Sequence, residues 1–272
     1  MNHVKSISSI DRVFETACKP VLVLCSDLEY YLCKYNTRTV PSDQLFREYL
    51  AASFLKLWEL STPDFAIVDI SPSHIPTDSG IGTINIPVPC FGSLYDRNLK
   101  EVDSFIGQMP DAQKKKFADP SEFFTIAFFD IWMSNEDRHQ INYNLMLSAL
   151  NDEYHFVPID HGLCFNSGNL SQPNYTIGYE ESLLSSPLTQ IFYKLCINKN
   201  QEFLIDLQKI LYPCINSCKK HLNAIVEDTP DEWKIEKNAI ISQLSSFLFS
   251  RQWIDGCIKI FLEYLQKALN SK

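Results

Sequence analysis

Apolar and polar positions alternate near the start of the chain in a pattern that predicts a β-hairpin. Two β-rich runs, PVLVLCS (Pro20–Ser26) and LEYYLCKYN (Leu28–Asn36), are separated by a short polar turn. Neighbouring side chains on a strand point to opposite faces, so Tyr30, Leu32 and Lys34 are expected to share one face. The hairpin therefore presents a lysine among apolar neighbours.

A helical period replaces this alternation from Ser42 onwards. Apolar residues in SDQLFREYLAASFLKLWEL recur at helical spacing, namely Leu45, Tyr49, Ala52, Leu55 and Leu60. The pattern predicts one helix that ends before Pro63, and FAIVDI (Phe65–Ile70) then predicts a further strand.

The pattern is less regular in residues 72–118, which are rich in Pro and Gly. Pro87 and Pro89 exclude a regular central strand at their positions, because proline cannot donate to a sheet ladder. Loops and short helical turns are predicted for this segment.

Two later segments have the spacing of a helix start. Asp119, Pro120 and Glu122 resemble a capping box with proline at the first helical position, and the predicted helix extends to about Met133. Thr229–Glu232 repeats the same arrangement in a tail that is almost wholly helical after about residue 182.

The order of the elements predicts an α+β fold with two lobes. A second hairpin is expected around Asn151-Asp152. Residues 1–71 form the predicted β-rich N-terminal lobe, and residues 72–272 form the predicted connector and mainly helical C-terminal lobe. Two lobes with a hairpin between them predict a cleft, where ligands tend to bind.

Composition and charge narrow the classes of function. The 272 residues are 45% hydrophobic and 21% charged, as in ordinary globular proteins, and the net charge is −9. An acidic chain is not expected to bind nucleic acid or anionic membranes through a broad basic face. The sequence shows no apolar run of about 18 residues and no secretory signal, so a cytoplasmic protein is expected.

The nine cysteines are scattered, and no CxxC pair occurs among them. Free thiols in a reducing compartment are therefore expected. Cys214, Cys218 and His221 share one face of a predicted helix, but they are one ligand short of a structural zinc site.

A dense polar segment, SNEDRHQIN (Ser134–Asn142), follows the apolar run FFTIAFFDIWM. Asp137 and Asn142 could simply end that helix. However, the hairpin that follows returns the chain to Asp160 in IDHG, where Asn142 and Asp160 could reach one metal ion. A phosphoryl-transfer site needs a carboxylate that orients the acceptor hydroxyl, and oxygen ligands for Mg²⁺. Asp137 would meet the first need, and Asn142 with Asp160 the second.

A nucleotide site also needs a cation near the phosphates. Lys34 is the candidate, and a buried lysine needs a counter-charge, for which Glu48 in FREYL is suited. A surface lysine and a solvated helical glutamate are the alternatives.

NEDRHQIN followed by IDHG resembles the catalytic and metal-binding segments of HipA-like kinases and, more distantly, those of phosphatidylinositol kinases. The segments YYLCKYN, FREYLAA, PDFAIVDI and PCFGS precede them in the order found in compact HipA-like kinases, over roughly residues 15–170. This resemblance implies a two-lobed protein-kinase-like fold, with a catalytic loop at 134–142 and a metal loop at 159–163.

The resemblance also implies a role for the matching residues. Asp137 would position the acceptor hydroxyl, and Asn142 and Asp160 would bind Mg²⁺. Lys34, held by Glu48, would contact the phosphates of ATP.

Further positions follow from the same resemblance. His139 matches the loop histidine of the lipid kinases and would contact the transferring phosphate or brace the loop. Asp69 and Ile70 would meet adenine at the hinge between the lobes through backbone groups. A transition-metal site of His139, His161 and Asp137 is an alternative whose spacing matches no familiar ligand set.

The sequence departs from the kinase pattern at the phosphate-binding loop. No glycine precedes Lys34, so the backbone amides of Thr16–Lys19 would have to bind the phosphates. A glycine-poor loop of this kind favours the alternative that the protein binds a nucleotide or a partner without turnover.

The expected function is ATP- and Mg²⁺-dependent transfer to a protein Ser or Thr hydroxyl. The resemblance also raises a toxin-type regulatory role and an inhibitory protein partner. A lipid or small-molecule kinase of the same fold is the alternative, although the acidic charge disfavours a lipid in an anionic membrane.

Overall fold

The structure is a computed structural model and describes residues 2–16, 18–37, 42–77, 81, 88–102, 105–168, 176–199 and 203–270. An N-terminal sheet is followed by a second, smaller sheet and by a part that is mainly helical. This arrangement confirms the predicted α+β class.

Six strands form the N-terminal sheet. They are β1 (His3–Lys5), β2 (Arg12–Val13), β3 (Val21–Leu24), β4 (Tyr30–Lys34), β5 (Phe65–Asp69) and β6 (Cys90–Leu94). Their order is β1-β5-β6-β4-β3-β2, and β1 is parallel to β5 while the other neighbours are antiparallel. The first predicted hairpin is confirmed as β3 and β4, with Leu24 opposite Tyr30.

Strand β6 lies between β5 and β4, within a segment for which the sequence predicts only loops and helical turns. The strand begins directly after Pro89 and contains Gly92, and both residues weaken a strand pattern. Gly92 is required by close packing, because a Cβ atom there would lie 2.5 Å from Cγ2 of Val68 on β5. Hydrogen bonds to β4 and β5 on its two sides therefore stabilise β6 as a strand, although its own residues do not predict one.

Helix α1 (Ser42–Leu57) confirms the predicted helix, although it ends before Leu60. All residues from Gln44 to Leu55 are buried. One side of α1 packs against β6, and other sides pack against α7 (Phe203–Glu227) and a 3-10 helix at Asp231–Trp233. Burial on several sides explains why apolar residues also occur between the positions of the predicted helical face.

Helix α4 (Glu122–Met133) begins two residues later than its capping-box pattern predicts. The Asp119 carboxylate accepts from the Ser121 amide at 2.8 Å, ahead of the helix. The Glu122 carboxylate accepts from the Phe156 amide at 3.2 Å rather than from its own N-terminus. The capping box was therefore a wrong prediction, because Glu122 finds its partner in the second hairpin.

The second sheet contains β7 (Lys100–Glu101), β8 (Leu145–Leu150) and β9 (Glu153–Pro158), antiparallel and in that order. Asn151 and Asp152 join β8 to β9 with positive φ angles of 51° and 66°. A two-residue turn of this type favours Asn and Asp. The second predicted hairpin is confirmed.

The helical tail is also confirmed. Within the tail lie α6 (Leu188–Asn198), α8 (Lys237–Phe247) and α9 (Arg251–Asn270), with a 3-10 helix at Leu183–Ser185. Before the tail lie the short helices α2 (Phe105–Gln108) and α3 (Asp111–Lys114) and 3-10 helices at Pro72–His74 and Tyr179–Glu181. The segment α5 (Cys164–Gly168) is a left-handed turn, with positive φ angles at Phe165, Asn166 and Ser167. Thr229 does not cap a long helix as predicted, because its hydroxyl donates to the Val226 carbonyl at 2.7 Å. Among the described helices, none is long and apolar enough to cross a bilayer.

One hydrophobic cluster joins α1 to the C-terminal helices. Within it, the ring of Trp132 on α4 stacks with Phe54 and Trp58 of α1, at centroid distances of 5.7 and 5.4 Å. Phe249 and Phe261 of the tail belong to the same cluster.

Candidate active site

The polar segment Ser134–Asn142 follows α4 through a left-handed residue, Ser134, with φ of 50°. Asp137 lies in the turn that follows and is half-buried. Its Oδ1 accepts from Nδ2 of Asn142 at 3.0 Å, and its Oδ2 accepts from Nδ2 of Asn144 at 3.0 Å. Two amides therefore fix the plane of this carboxylate.

Lys34 brings the N-terminal sheet to the loop after β9. Its Nζ lies 2.5 Å from Oε1 of Glu48 on α1 and 2.7 Å from Oδ1 of Asp160. The exposed fractions of the three side chains are 13% for Lys34, 3% for Glu48 and 35% for Asp160. The structure thus brings together three residues that are far apart in the sequence, including the counter-charge predicted for Lys34.

The charges in this cluster stabilise one another. Burial opposes ionisation of Asp160, but the Lys34 ammonium outweighs it and lowers the pKa of Asp160 to about 2. Burial also opposes the charge of Lys34, and Glu48 and Asp160 raise the pKa of Lys34 above its usual range. The ammonium and the Asp160 carboxylate are therefore both charged near neutral pH.

Arg138, directly after Asp137, is fully buried and joins the two loops. Its guanidinium donates to the Asp130 carboxylate on α4 and to the carbonyl of Ile159 at 2.7 Å. It also donates to Nε2 of His161 at 3.0 Å. Because a guanidinium has no acceptor, Nε2 of His161 must accept this bond.

His161 completes a chain of contacts from α1 to α4. Burial and the neighbouring Arg138 hold the pKa of His161 well below its usual range, so the ring is neutral. Its backbone amide donates to Oε2 of Glu48 at 3.0 Å. Glu48 therefore holds both Lys34 and the loop that carries Asp160.

His139 braces the turn of the predicted catalytic loop. Its backbone exchanges two hydrogen bonds with Asn142, at 2.9 and 3.1 Å. Its Nδ1 accepts from the Ile141 amide at 3.3 Å, which places the proton of the neutral ring on Nε2. The ring therefore keeps a donor that is not used within the turn.

The structure does not bring Asp69 and Ile70 to this cluster. They end β5, which is separated from the Lys34 strand by β6, and the chain then returns to the same sheet. Residues 95–99 connect β6 to β7 in the second sheet. The resemblance places the hinge between the lobes at Asp69 and Ile70, after β5. In the structure the connection to the second sheet follows β6, a strand that the sequence did not predict.

Two of the amides expected to bind phosphate are already engaged. The Thr16 amide donates to the Phe14 carbonyl at 2.9 Å, and the Lys19 amide donates to the Thr16 carbonyl at 3.0 Å. This corrects the expectation for those two positions, because an amide bonded within its own turn is not available to a ligand. Residue 17 lies outside the described part of the chain.

Cys18 shows that this turn lies near the charged cluster. Burial raises the pKa of its thiol, and four surrounding charges also act on it, those of Lys34, Asp160, Glu48 and Asp137. The turn between β2 and β3 is therefore close enough to these groups for their charges to act on Cys18.

The oxygen-bearing side chains fit a hard cation such as Mg²⁺. Asp160 already holds one cation, the ammonium of Lys34. Mg²⁺ is commonly bound by one or two protein oxygens together with substrate phosphates and water. Asp160 and Asn142 would provide the protein oxygens. In the described ranges, no three His, Cys, Asp and Glu side chains cluster as a metal site would require. That finding gives no support to the alternative of His139, His161 and Asp137 as metal ligands.

A cavity of about 580 Å³ opens beside the same loops. Its lining includes Asn142, Asn144 and Ile159, the residue before Asp160. Val102 and Met146 contribute apolar surface from the ends of β7 and β8. Polar and apolar groups contribute about equally to its surface and it is open to solvent, so it could take a ligand with polar groups.

The contacts of Asn144 and Asp130 within the site were not predicted from the sequence. The one charge in FFTIAFFDIWM was a usable signal for Asp130, since a buried carboxylate needs a partner. Asn144 had no comparable signal, because its contact with Asp137 depends on the backbone turn between them.

A family model described as HipA-like kinase matches residues 7–254 of this chain. The structure of the Helicobacter pylori proinflammatory kinase CtkA is similar, with a TM-score of 0.55, 16% identity and coverage of 96% of this chain and 98% of that chain. At that identity the likeness shows a kinase-like fold and nothing finer.

Two other kinase structures are less similar. The golgi casein kinase has a TM-score of 0.43 and 12% identity, covering 93% of this chain and 73% of that chain. HipA from Shewanella oneidensis MR-1, in complex with HipB and operator DNA, has a TM-score of 0.35 and 6% identity, covering 96% and 68%. These scores carry no argument about function, and no curated protein matches the chain.

Proposed function

We propose that this chain, which belongs to the HipA-like kinase family, transfers the γ-phosphoryl group of ATP to a Ser or Thr hydroxyl of a protein. One observation carries the proposal. The Asp137 carboxylate is fixed by two amides in a loop that Arg138 ties to the loop of Asp160, where Lys34 is held. An acceptor-orienting carboxylate and a phosphate-binding cation are the parts that phosphoryl transfer requires.

Each residue has a role that its contacts support. Asp137 would orient the acceptor hydroxyl and take its proton, since an ionised carboxylate keeps free lone pairs beside the two amide bonds. Lys34 would bind phosphate oxygens. Asp160 and Asn142 would hold Mg²⁺, which neutralises charge on the phosphates when bound. His139 would donate from Nε2 to the transferring group.

The nucleotide base would occupy the cavity lined by Val102, Met146 and Ile159. The connection at residues 95–99 replaces Asp69 and Ile70 as the proposed hinge, because it leads from β6 to the β7 side of this cavity. Glu101 lines the cavity as well and would accept from ribose hydroxyls.

The Asp137→Asn variant tests the proposal. The amide keeps the size of the side chain but cannot take a proton, so transfer should fall by about a hundredfold or more, while ATP binding persists. The measurement compares phosphopeptides and radiolabel in lysates treated with wild type or variant, alongside lipid vesicles. Equal labelling by both proteins would contradict the role of Asp137. Label found only in lipid would contradict a protein acceptor.

The same comparison in growing cells addresses regulation. Family membership supports the further proposal that the kinase restrains growth and is held in check by a protein partner. All nine cysteines are free thiols, which supports a reducing compartment such as the cytoplasm. Growth that slows with wild type but not with Asp137→Asn is the expected outcome, and equal growth of both would contradict the toxin-type role.

A further inference from the structure

Asn144 lies beyond the segment that resembles the kinase loop, yet it contacts the proposed catalytic residue twice. Its Nδ2 is 3.0 Å from Oδ2 of Asp137 and 3.2 Å from the Asp137 backbone carbonyl. The other carboxylate oxygen accepts from Asn142. Each oxygen of Asp137 therefore has one amide donor, and the two donors come from different residues.

The backbone of Asn144 is fixed by both loops. Its carbonyl accepts from the Ile159 amide at 3.0 Å and from Nε of Arg138 at 3.3 Å. Its φ angle is 44°, in the left-handed region that Asn tolerates better than most side chains. Asn144 is thus anchored next to the Asp160 loop while its side chain reaches the Asp137 loop.

We propose that Asn144 is a positioning residue that holds the Asp137 carboxylate in the orientation needed for transfer. The inference rests on the proposed function. One donor fixes one oxygen but lets the carboxylate turn about its terminal bond, whereas donors on both oxygens remove that freedom. The rate of transfer depends on this orientation, because a displacement of a reacting group by about 1 Å can lower the rate by about a hundredfold.

The test is Asn144→Gly. Glycine keeps the left-handed backbone and removes only the amide. The expected result is a fall in kcat of about tenfold to a hundredfold. KM for ATP should stay within about twofold, because the described hydrogen bonds of the Asn144 side chain go to Asp137 rather than to Lys34 or Asp160, and the melting temperature should change little.

A matched control is Asn151→Gly in the β8–β9 turn. Asn151 is also left-handed, with φ of 51°, but it is exposed and lies at the far end of the hairpin. The same substitution there should leave kcat at the wild-type value. Asn144→Asp, which tolerates the same backbone but places a second carboxylate against Asp137, should lower kcat at least as far as glycine does.

Three outcomes would overturn the inference. The first is a wild-type kcat in Asn144→Gly while Asp137→Asn is inactive, which leaves the proposed function standing. The second is a loss of activity that follows a matching rise in KM or fall in melting temperature, as a purely structural residue would give. The third is a wild type without transfer activity, in which case the proposed function fails first and this inference fails with it.

Discussion

The ion pair between Lys34 and Asp160 keeps both side chains charged and in place in the absence of a ligand. The ammonium lies 2.7 Å from Oδ1 of a carboxylate proposed to bind Mg²⁺. A lysine in that place keeps the carboxylate ionised and oriented, so the site does not have to be assembled from neutral groups. Binding of the metal and nucleotide would then redistribute contacts that already exist.

This contact predicts a dependence of stability on pH. The pKa of Asp160 is lowered to about 2 in the folded protein. An Asp in an unfolded chain has a pKa of about 3.9. A depressed carboxyl pKa stabilises the fold above the unfolded value, and that contribution is lost as the pH falls through the folded value.

We therefore expect wild type to be more stable than Asp160→Asn at neutral pH without metal. The difference should shrink as the pH falls from about 4 to about 2. Chemical denaturation at several pH values measures it. Asp11→Asn, at an exposed position directly before β2, is the control. A difference between wild type and Asp160→Asn that stays constant below pH 4 would contradict the assigned contact.

Individual site residues could be predicted from the sequence where several polar side chains of the right type occur close together. Asp137, Asn142 and Asp160 stand out because two carboxylates and an amide recur around one hairpin. Two of the partners of Arg138 could not be predicted in the same way, since Ile159 and Asn144 contribute backbone carbonyls. A backbone carbonyl belongs to every residue and carries no sequence signal.

Among the elements, α1 connects the charged cluster to the rest of the protein. Its Tyr49 ring contacts the ring of Trp233 with centroids 6.3 Å apart. Nε1 of Trp233 donates to the carbonyl of Pro89, directly before β6, at 2.7 Å. Trp233 therefore holds the helix of Glu48 and the central strand in one place.

Trp233→Ala should destabilise the fold by about 3–5 kcal/mol, because a fully buried tryptophan leaves a large cavity. Trp233 is 1% exposed, whereas Leu262 on α9 is 43% exposed. Leu262→Ala is the control and should change stability by about 1 kcal/mol or less. Urea denaturation measures both, and an equally small effect of the two variants would show that Trp233 does not secure α1.

The elements differ in how far their own sequences specify them. Both hairpins and α1 were predictable, because their apolar periods and turn residues agree with the fold. Strand β6 was not, since Gly92 is there to let Val68 and Tyr31 approach, and space between neighbours is not visible in a short run of letters.

On the scale of the whole molecule, one hydrophobic cluster links the two predicted lobes, while the N-terminal sheet also has a second cluster of its own that contains Val21, Cys33 and Val68. The cluster that contains Leu45 and Phe54 of α1 also contains Phe91 of β6 and Leu265 of α9. When this cluster is disrupted on unfolding, residues that are far apart in the chain lose their packing contacts at the same time. Such a core is expected to unfold cooperatively.

Differential scanning calorimetry should accordingly give a single transition, with equal calorimetric and van't Hoff enthalpies. Addition of ATP and Mg²⁺ should move the transition to higher temperature without dividing it, because a ligand of the folded state stabilises that state as a unit. Two resolved transitions for the free protein would show that the N-terminal sheet unfolds on its own.

The burial of α1 on every side has a pharmacological consequence. An inhibitor that needs this helix to move outward would have to displace α7 and Trp233 as well, and would lose affinity by the free energy of that rearrangement. An inhibitor that fills the cavity beside Asn142 and Ile159 meets no such barrier. Compounds that require outward movement of this helix should therefore bind this protein more weakly than compounds that bind without moving it.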